Sequence, residues 1–152
     1  MQASKTLILA SASQSRASIL RNAGIQFRSA PSLCNENEIK KKLRKANVST
    51  LIIAKELAKA KADIISKKYP KSYVIAADQM LECEGISYDK PKDSTEAHFQ
   101  LKRLRGKTHY LYSGAVVYKA SACLWHHSGK IEMRMREFTD KFLEEYINVI
   151  GL

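Results

Sequence analysis

Cysteine is scarce and scattered in this chain. The 152 residues include three, Cys34, Cys83 and Cys123, and none falls in a CxxC or Cys/His spacing. That argues against a disulfide framework or a zinc site and leaves them as reduced structural thiols. No run approaches the roughly 20 apolar residues that a membrane-spanning helix needs, and Met1-Gln2-Ala3-Ser4-Lys5 opens onto an apolar stretch too short for a secretory signal. A cytoplasmic protein with no membrane association is expected. Acidic residues are also short, 15 against 26 Lys and Arg, for a net charge of +11. That excess concentrates any polyanion, whether nucleic acid, acidic lipid or a nucleoside triphosphate, without choosing among them. It gathers in Lys40-Lys41-Lys42-Leu43-Arg44-Lys45, in Lys67-Lys68 and in Lys102-Arg103 through Arg105-Gly106-Lys107, whose plainest reading is solvated helix faces. Internal repeats and low-complexity linkers are missing as well, and the length suits one core, so a single domain over residues 1–152 is expected.

What is present reads as alternating strands and helices. Leu7-Ile8-Leu9-Ala10 is a short apolar run, followed by small hydroxyl residues and a helical pattern through Ile19, Leu20 and Ala23 that Gly24 stops. Ile25 to Ala30 alternates like a second strand, and Pro31 to Asn37 is punctuated like a loop. From Ser49 or Thr50, plausible caps, the positions Leu51, Ile52, Leu57, Ala58, Ala62, Ile64 and Ile65 predict the longest helix. Tyr73 to Ala77 reads as a strand buried on both faces and ending at Asp78. After the polar turn at Lys90-Pro91, Ser94 can cap a helix carrying Ala97, Leu101 and Leu104, with Gly106 as its stop. Thr108–Tyr118, Ser121–His126 and Lys130–Arg136 read as three strands, and Thr139 can cap a last helix through Ile147.

Several of these segments carry polar groups that could do chemistry. In Leu9-Ala10-Ser11-Ala12-Ser13-Gln14-Ser15-Arg16, hydroxyls and a guanidinium stand where a strand turns into a helix, so free N–H groups and the positive end of the helix dipole converge. That can hold a phosphate, or it can simply cap the helix. It is not a Walker loop, because the Gly spacing and the Gly-Lys-Ser/Thr ending are missing. Asp78, at the carboxyl end of its strand, could bind Mg²⁺, orient a water or take its proton, or it could cap a turn. Glu36 could approach the same metal or stand solvated in its loop, and Lys61 and Lys90 have the ordinary reading of surface lysines. His126-His127 could suggest a metal site, but neighbours on a strand point to opposite faces; Trp125 reads as packing.

Together these residues resemble the Maf family, from residue 7 to about residue 150. The family's Ser-x-Ser-x-x-Arg turn stands as Ser11, Ser13 and Arg16, its acidic pair as Asn35-Glu36, and its Lys-Ala as Lys61-Ala62. Its Asp-Thr or Asp-Gln stands as Asp78-Gln79 and its Lys-Pro as Lys90-Pro91, with Leu104-x-Gly106-Lys107-x-His109 and Ser113-Gly114 following in family order. The resemblance implies an α/β fold of the Maf/ITPase-like kind, a curved mixed sheet flanked by helices with a cleft between two lobes. It also implies hydrolysis of a nucleoside triphosphate between its α and β phosphates, to the monophosphate and pyrophosphate, with a divalent metal cation, Mg²⁺ or Mn²⁺. Carried over position by position, Asp78 and Glu36 would serve the metal and the water. Lys61 and Lys90 would join them in catalysis, and Ser11, Ser13, Arg16 and Gln79 would contact the substrate.

The chain departs from the family pattern at three points. Asn35 replaces the more usual Asp, removing a charge near the expected metal. Gln14-Ser15 stand where many members have Pro followed by Arg or an aromatic. The chain stops at Leu152, whereas members usually continue with a Gly-rich segment, so a C-terminally shortened domain is expected. Gln79 resembles the branch acting on 7-methyl-GTP, where Thr would resemble the dTTP/UTP branch. Two alternatives stand beside the enzyme. One is a catalytically weak relative with a regulatory or binding role in septum formation, against which the retained Asp78, Glu36, Lys61 and Lys90 speak. The other is a basic nucleic-acid-binding module, which has no reader motif and no aromatics interleaved with the basic runs in sequence. Whether the chain forms a homodimer is left open.

Overall fold

Leu7–Leu9 forms the short strand β1, with Ile8 and Leu9 buried. In a computed structural model that describes residues 6–151, it sits inside a mixed sheet; Met1–Lys5, on which the reading of a start too short for a secretory signal rests, and Leu152 lie outside the described residues. Among the described residues the remaining elements, in chain order, are α1 (Gln14–Asn22), β2 (Arg28–Ser29), α2 (Glu36–Lys45), α3 (Thr50–Lys68), β3 (Tyr73–Cys83), β4 (Ile86–Tyr88), α4 (Ser94–Leu104), β5 (Thr108–Lys119), β6 (Ala122–Arg134) and α5 (Asp140–Ile150). The strand order is β2-β1-β3-β5-β6, with β4 paired to β3. β1 runs parallel to β2 and β3, and β4 runs antiparallel to β3. The described residues fall into two compact units, 6–79 with 113–129 and 80–112 with 130–151; β3, β5 and β6 pass through both.

In the first unit, α3 packs on the sheet through Ile53, Ala54, Leu57, Ala58, Lys61, Ala62 and Ile65, a stripe spaced by three and four residues. Ile52 and Ile64, read from the sequence as stripe positions, are exposed. The stripe meets Ile8, Ala10, Val74, Ala76, Val116 and Tyr118 in one apolar cluster. Fully burying side chains of Val, Leu or Ile size is worth about 1.5–3 kcal/mol each, so this layer dominates the unit's stability. β5 comes unusually close to α3 at Gly114, where a Cβ would lie 2.6 Å from the Lys55 Cα; only glycine permits that approach.

Local expectations change at several places, among them β2, which spans Arg28–Ser29 where Ile25 to Ala30 is expected. α2 begins inside the stretch read as a loop, because the Asn35 side chain caps it by accepting from the Glu38 N–H at 3.2 Å. α2 buries no residue; Lys41, Lys42 and Lys45 form the solvated face expected, whereas the Lys40 side chain is largely covered and Arg44 is half-buried. β3 runs on to Cys83, past the expected stop, and alternates buried with half-buried positions instead of being buried on both faces. β6 is one strand of 13 residues where two were expected, and none of its residues is buried, so no burial pattern marks it in the sequence.

The second unit contains the end of β3, which turns through Glu84 and Gly85, both at positive φ, into β4; that is the backbone a two-residue hairpin demands. α4 is capped by Asp93, whose carboxylate accepts from the Glu96 N–H at 2.8 Å, and not by Ser94 as expected. Thr139 caps α5 as expected, and the helix continues to Ile150. Arg105 joins α4 to α5, donating to the Phe138 carbonyl at 3.0 Å and to Asp140 at 2.7 Å. The hydrogen bonds from Arg105 and Lys102 hold the Asp140 carboxyl below its ordinary pKa.

Candidate active site

The turn from β1 into α1 is held by its own hydroxyls. Ser13 caps the helix, its oxygen accepting from the Arg16 N–H at 3.4 Å. Ser11, 7% exposed, accepts from the Ser13 N–H at 3.2 Å and from Arg16 Nη1 at 3.1 Å. The second hydroxyl of the motif therefore caps, and the first anchors the guanidinium. Arg16 Nη2 then reaches Asp78 Oδ1 at 3.5 Å.

Asp78 lies within β3, five residues from its start, and points to the same side as the buried Val74 and Ala76. The expectation that it marks the end of the strand fails for a physical reason. A carboxylate can stay in a strand interior when cations from elsewhere in the fold reach it, and here they do. Lys61 Nζ stands 3.0 Å from Asp78 Oδ2, and the backbone N–H of Gln79 donates to Oδ1 at 2.8 Å. Lys61 also lies 2.9 Å from Glu36 Oε1, and Lys40 stands 3.9 Å from the other Glu36 oxygen. Glu36, read from the sequence as a loop residue, is the first residue of α2, and its helix delivers it to Lys61.

Charge alternates along this chain of contacts: Arg16, Asp78, Lys61, Glu36, Lys40. The side chains of Lys61 and Asp78 are 9% and 10% exposed. Burial pushes the Lys61 pKa down, but the hydrogen bonds and negative charges of Glu36 and Asp78 outweigh it and hold the ammonium above its ordinary value. Lys61 is therefore a fixed cation at neutral pH and not a base. Electrostatics on the larger scale agree with an anionic ligand. In the sequence, residues 1–79 with 113–129 carry 16 Lys and Arg against five Asp and Glu, whereas the remainder carries ten of each. The entire net charge of +11 belongs to the unit that holds this cluster.

Five of the residues singled out in the sequence, Ser11, Arg16, Glu36, Lys61 and Asp78, are joined by these contacts, and Ser13 positions the turn. Gln79 is next to Asp78 but exposed, on the opposite face of β3, where its Nε2 donates to Ser113 Oγ at 3.0 Å. Ser113 is a neighbour of the site that sequence reasoning passed over as a functional residue. Lys90 belongs to the second unit, exposed on the segment after β4. Trp125 stacks on His127 at 6.0 Å, consistent with neighbours two apart sharing a face.

A divalent cation can be tested against these donors. Among the described residues no group of three or more His, Cys, Asp and Glu is placed to hold a metal, so they form no all-protein cage. Asp78 and Glu36 nevertheless bring carboxylate oxygens within 3.0 Å of one point, the Lys61 nitrogen. One or two carboxylates completed by phosphate oxygens and waters is the usual donor set for Mg²⁺, so the residue types suit that ion, although the Lys61 ammonium fills the point between them.

Comparison with known proteins gives a consistent result. Residues 6–151 match the family model described as Maf-like protein. The chain is 43% identical over 141 residues to a protein of Ruegeria sp. (strain TM1040) named nucleoside triphosphate pyrophosphatase, covering 93% of this chain and 71% of that protein. It is 37% identical over 145 residues to the 7-methyl-GTP pyrophosphatase of Rhizobium etli, covering 95% and 73%. The structure of a HAM1 protein from Coxiella burnetii superposes with a TM-score of 0.54 at 17% identity, over 85% of this chain and 72% of that one. That likeness concerns the fold, a mixed sheet with flanking helices. No helix among the described residues is long and apolar enough to cross a membrane.

Proposed function

The chain belongs to the Maf family, and from that premise we propose that it is a nucleoside triphosphate pyrophosphatase, a hydrolase of acid anhydrides acting in the cytoplasm, with 7-methyl-GTP among its substrates. The observation that carries the reading is the buried Lys61 ammonium held between Asp78 and Glu36, with Arg16 on the far side of Asp78. Two carboxylates and two fixed cations converge in a strongly basic unit, which suits a reaction in which an anion is bound and a water is activated.

The reaction consumes one water. Its oxygen adds to one phosphorus of the α–β anhydride, the bond from that phosphorus to the bridging oxygen breaks, and the products are the nucleoside monophosphate and pyrophosphate. Asp78 orients the water and accepts its proton. Arg16, anchored by Ser11, and Lys61 neutralise charge that grows on the phosphate oxygens; as preorganised donors in a partly dry site they act most strongly where charge develops. A divalent cation held by Asp78 and Glu36 would supply Lewis-acid polarisation of a phosphoryl oxygen. Gln79, fixed by Ser113, is the residue whose type favours the methylated purine, and the Rhizobium etli relative named for 7-methyl-GTP supports that choice.

The test is pyrophosphate release with Mg²⁺ or Mn²⁺ across a panel of standard and methylated nucleoside triphosphates, with Asp78→Asn as control. Selective release that disappears in the variant is expected. Folded protein that releases no pyrophosphate from any member of the panel would overturn the reading.

A further inference from the structure

We propose that the first unit carries, at the end of its sheet where β3 begins, a cationic surface, distinct from the Asp78 cluster, that binds single-stranded nucleic acid. In sequence the aromatics do not alternate with the basic runs; in space they do. Arg28 lies over the Tyr69 ring at 4.8 Å, with Lys68 on the same ring at 5.6 Å. Lys119 lies over Tyr73 at 4.7 Å, and Arg21 over Phe27 at 5.7 Å. These pairs share one end of the unit. Ile8 of β1 pairs with Arg28, and Leu7 pairs with Tyr73. Ser72 N–H donates to the Tyr69 carbonyl at 3.1 Å, and Ser121 N–H to Ser66 Oγ at 2.8 Å, tying the end of α3 to the turn between β5 and β6.

Almost nothing offsets this charge. Asp and Glu are absent from residues 6–35, 64–77 and 113–129, which build this end. Asp63, the acid just before the middle stretch, is taken by Lys67 at 2.6 Å. Five cations therefore remain for a ligand: Arg21, Arg28, Lys68, Lys71 and Lys119. The surface is distinct from the cluster at Asp78, which lies five residues farther along β3, about 17 Å away at ~3.3 Å per residue. A basic surface with half-buried rings interleaved is the pattern that tracks a phosphate backbone while bases stack. Strand starts and a helix end provide no amphipathic helix to lie on a bilayer, so an acidic membrane fits less well.

The experiment measures binding of a fluorescein-labelled 12-nucleotide oligouridylate to the whole chain by anisotropy across a salt series. With five phosphates neutralised, log K should fall with log salt at a slope of about −3.5. The triple variant Arg28→Ala, Lys68→Ala, Lys119→Ala should lower the slope by about 2 and the low-salt affinity by about tenfold or more, while pyrophosphate release stays at the parental rate. Tyr69→Leu and Tyr73→Leu keep apolar bulk against the core but remove the stack, and each should weaken binding by about fivefold or more. Unchanged affinity in the triple variant overturns the proposal. So does a protein whose tyrosine variants bind normally and which holds heparin or phosphatidylserine vesicles as tightly as the oligonucleotide, because it would then attract polyanions without reading nucleic acid. Melting curves of every variant separate lost binding from lost fold.

Discussion

Lys61 Nζ stands between two carboxylates, 2.9 Å from Glu36 and 3.0 Å from Asp78, at a position that α3 otherwise fills with apolar side chains. Removing the cation would leave Asp78 buried against a second negative charge, the kind of loss that costs about 3 kcal/mol or more. Lys61→Met should therefore destabilise the fold by about that amount in urea unfolding. The pH dependence follows from the raised pKa. A group held above its unfolded value contributes its full stability below that value, here 10.5, and loses it as pH rises through the higher folded value. The gap between wild type and variant should thus be flat from neutral pH to 10.5 and shrink only beyond it. A gap already closing between neutral pH and 9 would show that the pair does not hold the ammonium.

Asp78 and Glu36 share Lys61 but not their surroundings. Asp78 is 10% exposed and also takes Arg16, whereas the Glu36 carboxylate is 40% exposed at the start of a helix with no buried residue. Asp78→Asn should lower the rate of pyrophosphate release by about 10²–10⁴, the usual worth of a positioned acid or base. Glu36→Gln should cost less and should show chiefly as a need for more Mg²⁺. Equal losses in the two variants, with the same Mg²⁺ dependence, would contradict the division of roles.

Ser11 holds one nitrogen of Arg16 while the other reaches Asp78. A single lost neutral hydrogen bond is worth about 1 kcal/mol, so Ser11→Ala should reduce kcat/KM roughly fivefold without unfolding the protein. Arg16→Lys should fare worse than Ser11→Ala, because an ammonium has no fork to span both partners. Steady-state kinetics on the best nucleotide of the panel decide the order of the two.

Much of this cluster is legible in the sequence, and the reasons for what is not are physical. Lys61 sits three and four residues from Ala58 and Leu57 on a stripe that is otherwise apolar, and a charge on a buried stripe must have a partner. Its partner is visible as a carboxylate interrupting an apolar run. The continuation of β3 past Asp78 is not visible, because the cations that make the charge tolerable come from α1 and α3. The helix that carries Glu36 is hidden for a different reason. Asn35 followed by Glu38 is a helix-start signature, but the strongly basic run after it reads as surface whether helical or not. β6 is read as two strands instead of one, since an exposed strand has no alternation of burial to print on its sequence, and Ser128-Gly129 imitate a break within it.

Gly114 sets the distance on which the cluster depends. A Cβ added there would meet the Lys55 Cα at 2.6 Å and its nitrogen at 2.8 Å, both backbone atoms that cannot turn aside. Gly114→Ala must therefore push β5 and α3 apart, and Lys61 lies on the same helix, six residues on. Overpacking of this kind costs about 1–3 kcal/mol, which melting curves would register. The informative measurement is a second one. If α3 moves as a rigid rod, Lys61 withdraws from Asp78, and turnover should fall by more than the loss of folded protein explains, with KM little changed. Turnover that merely tracks the folded fraction would mean that α3 yields locally at Lys55, leaving the ion pair where it stands and Gly114 with a packing role alone.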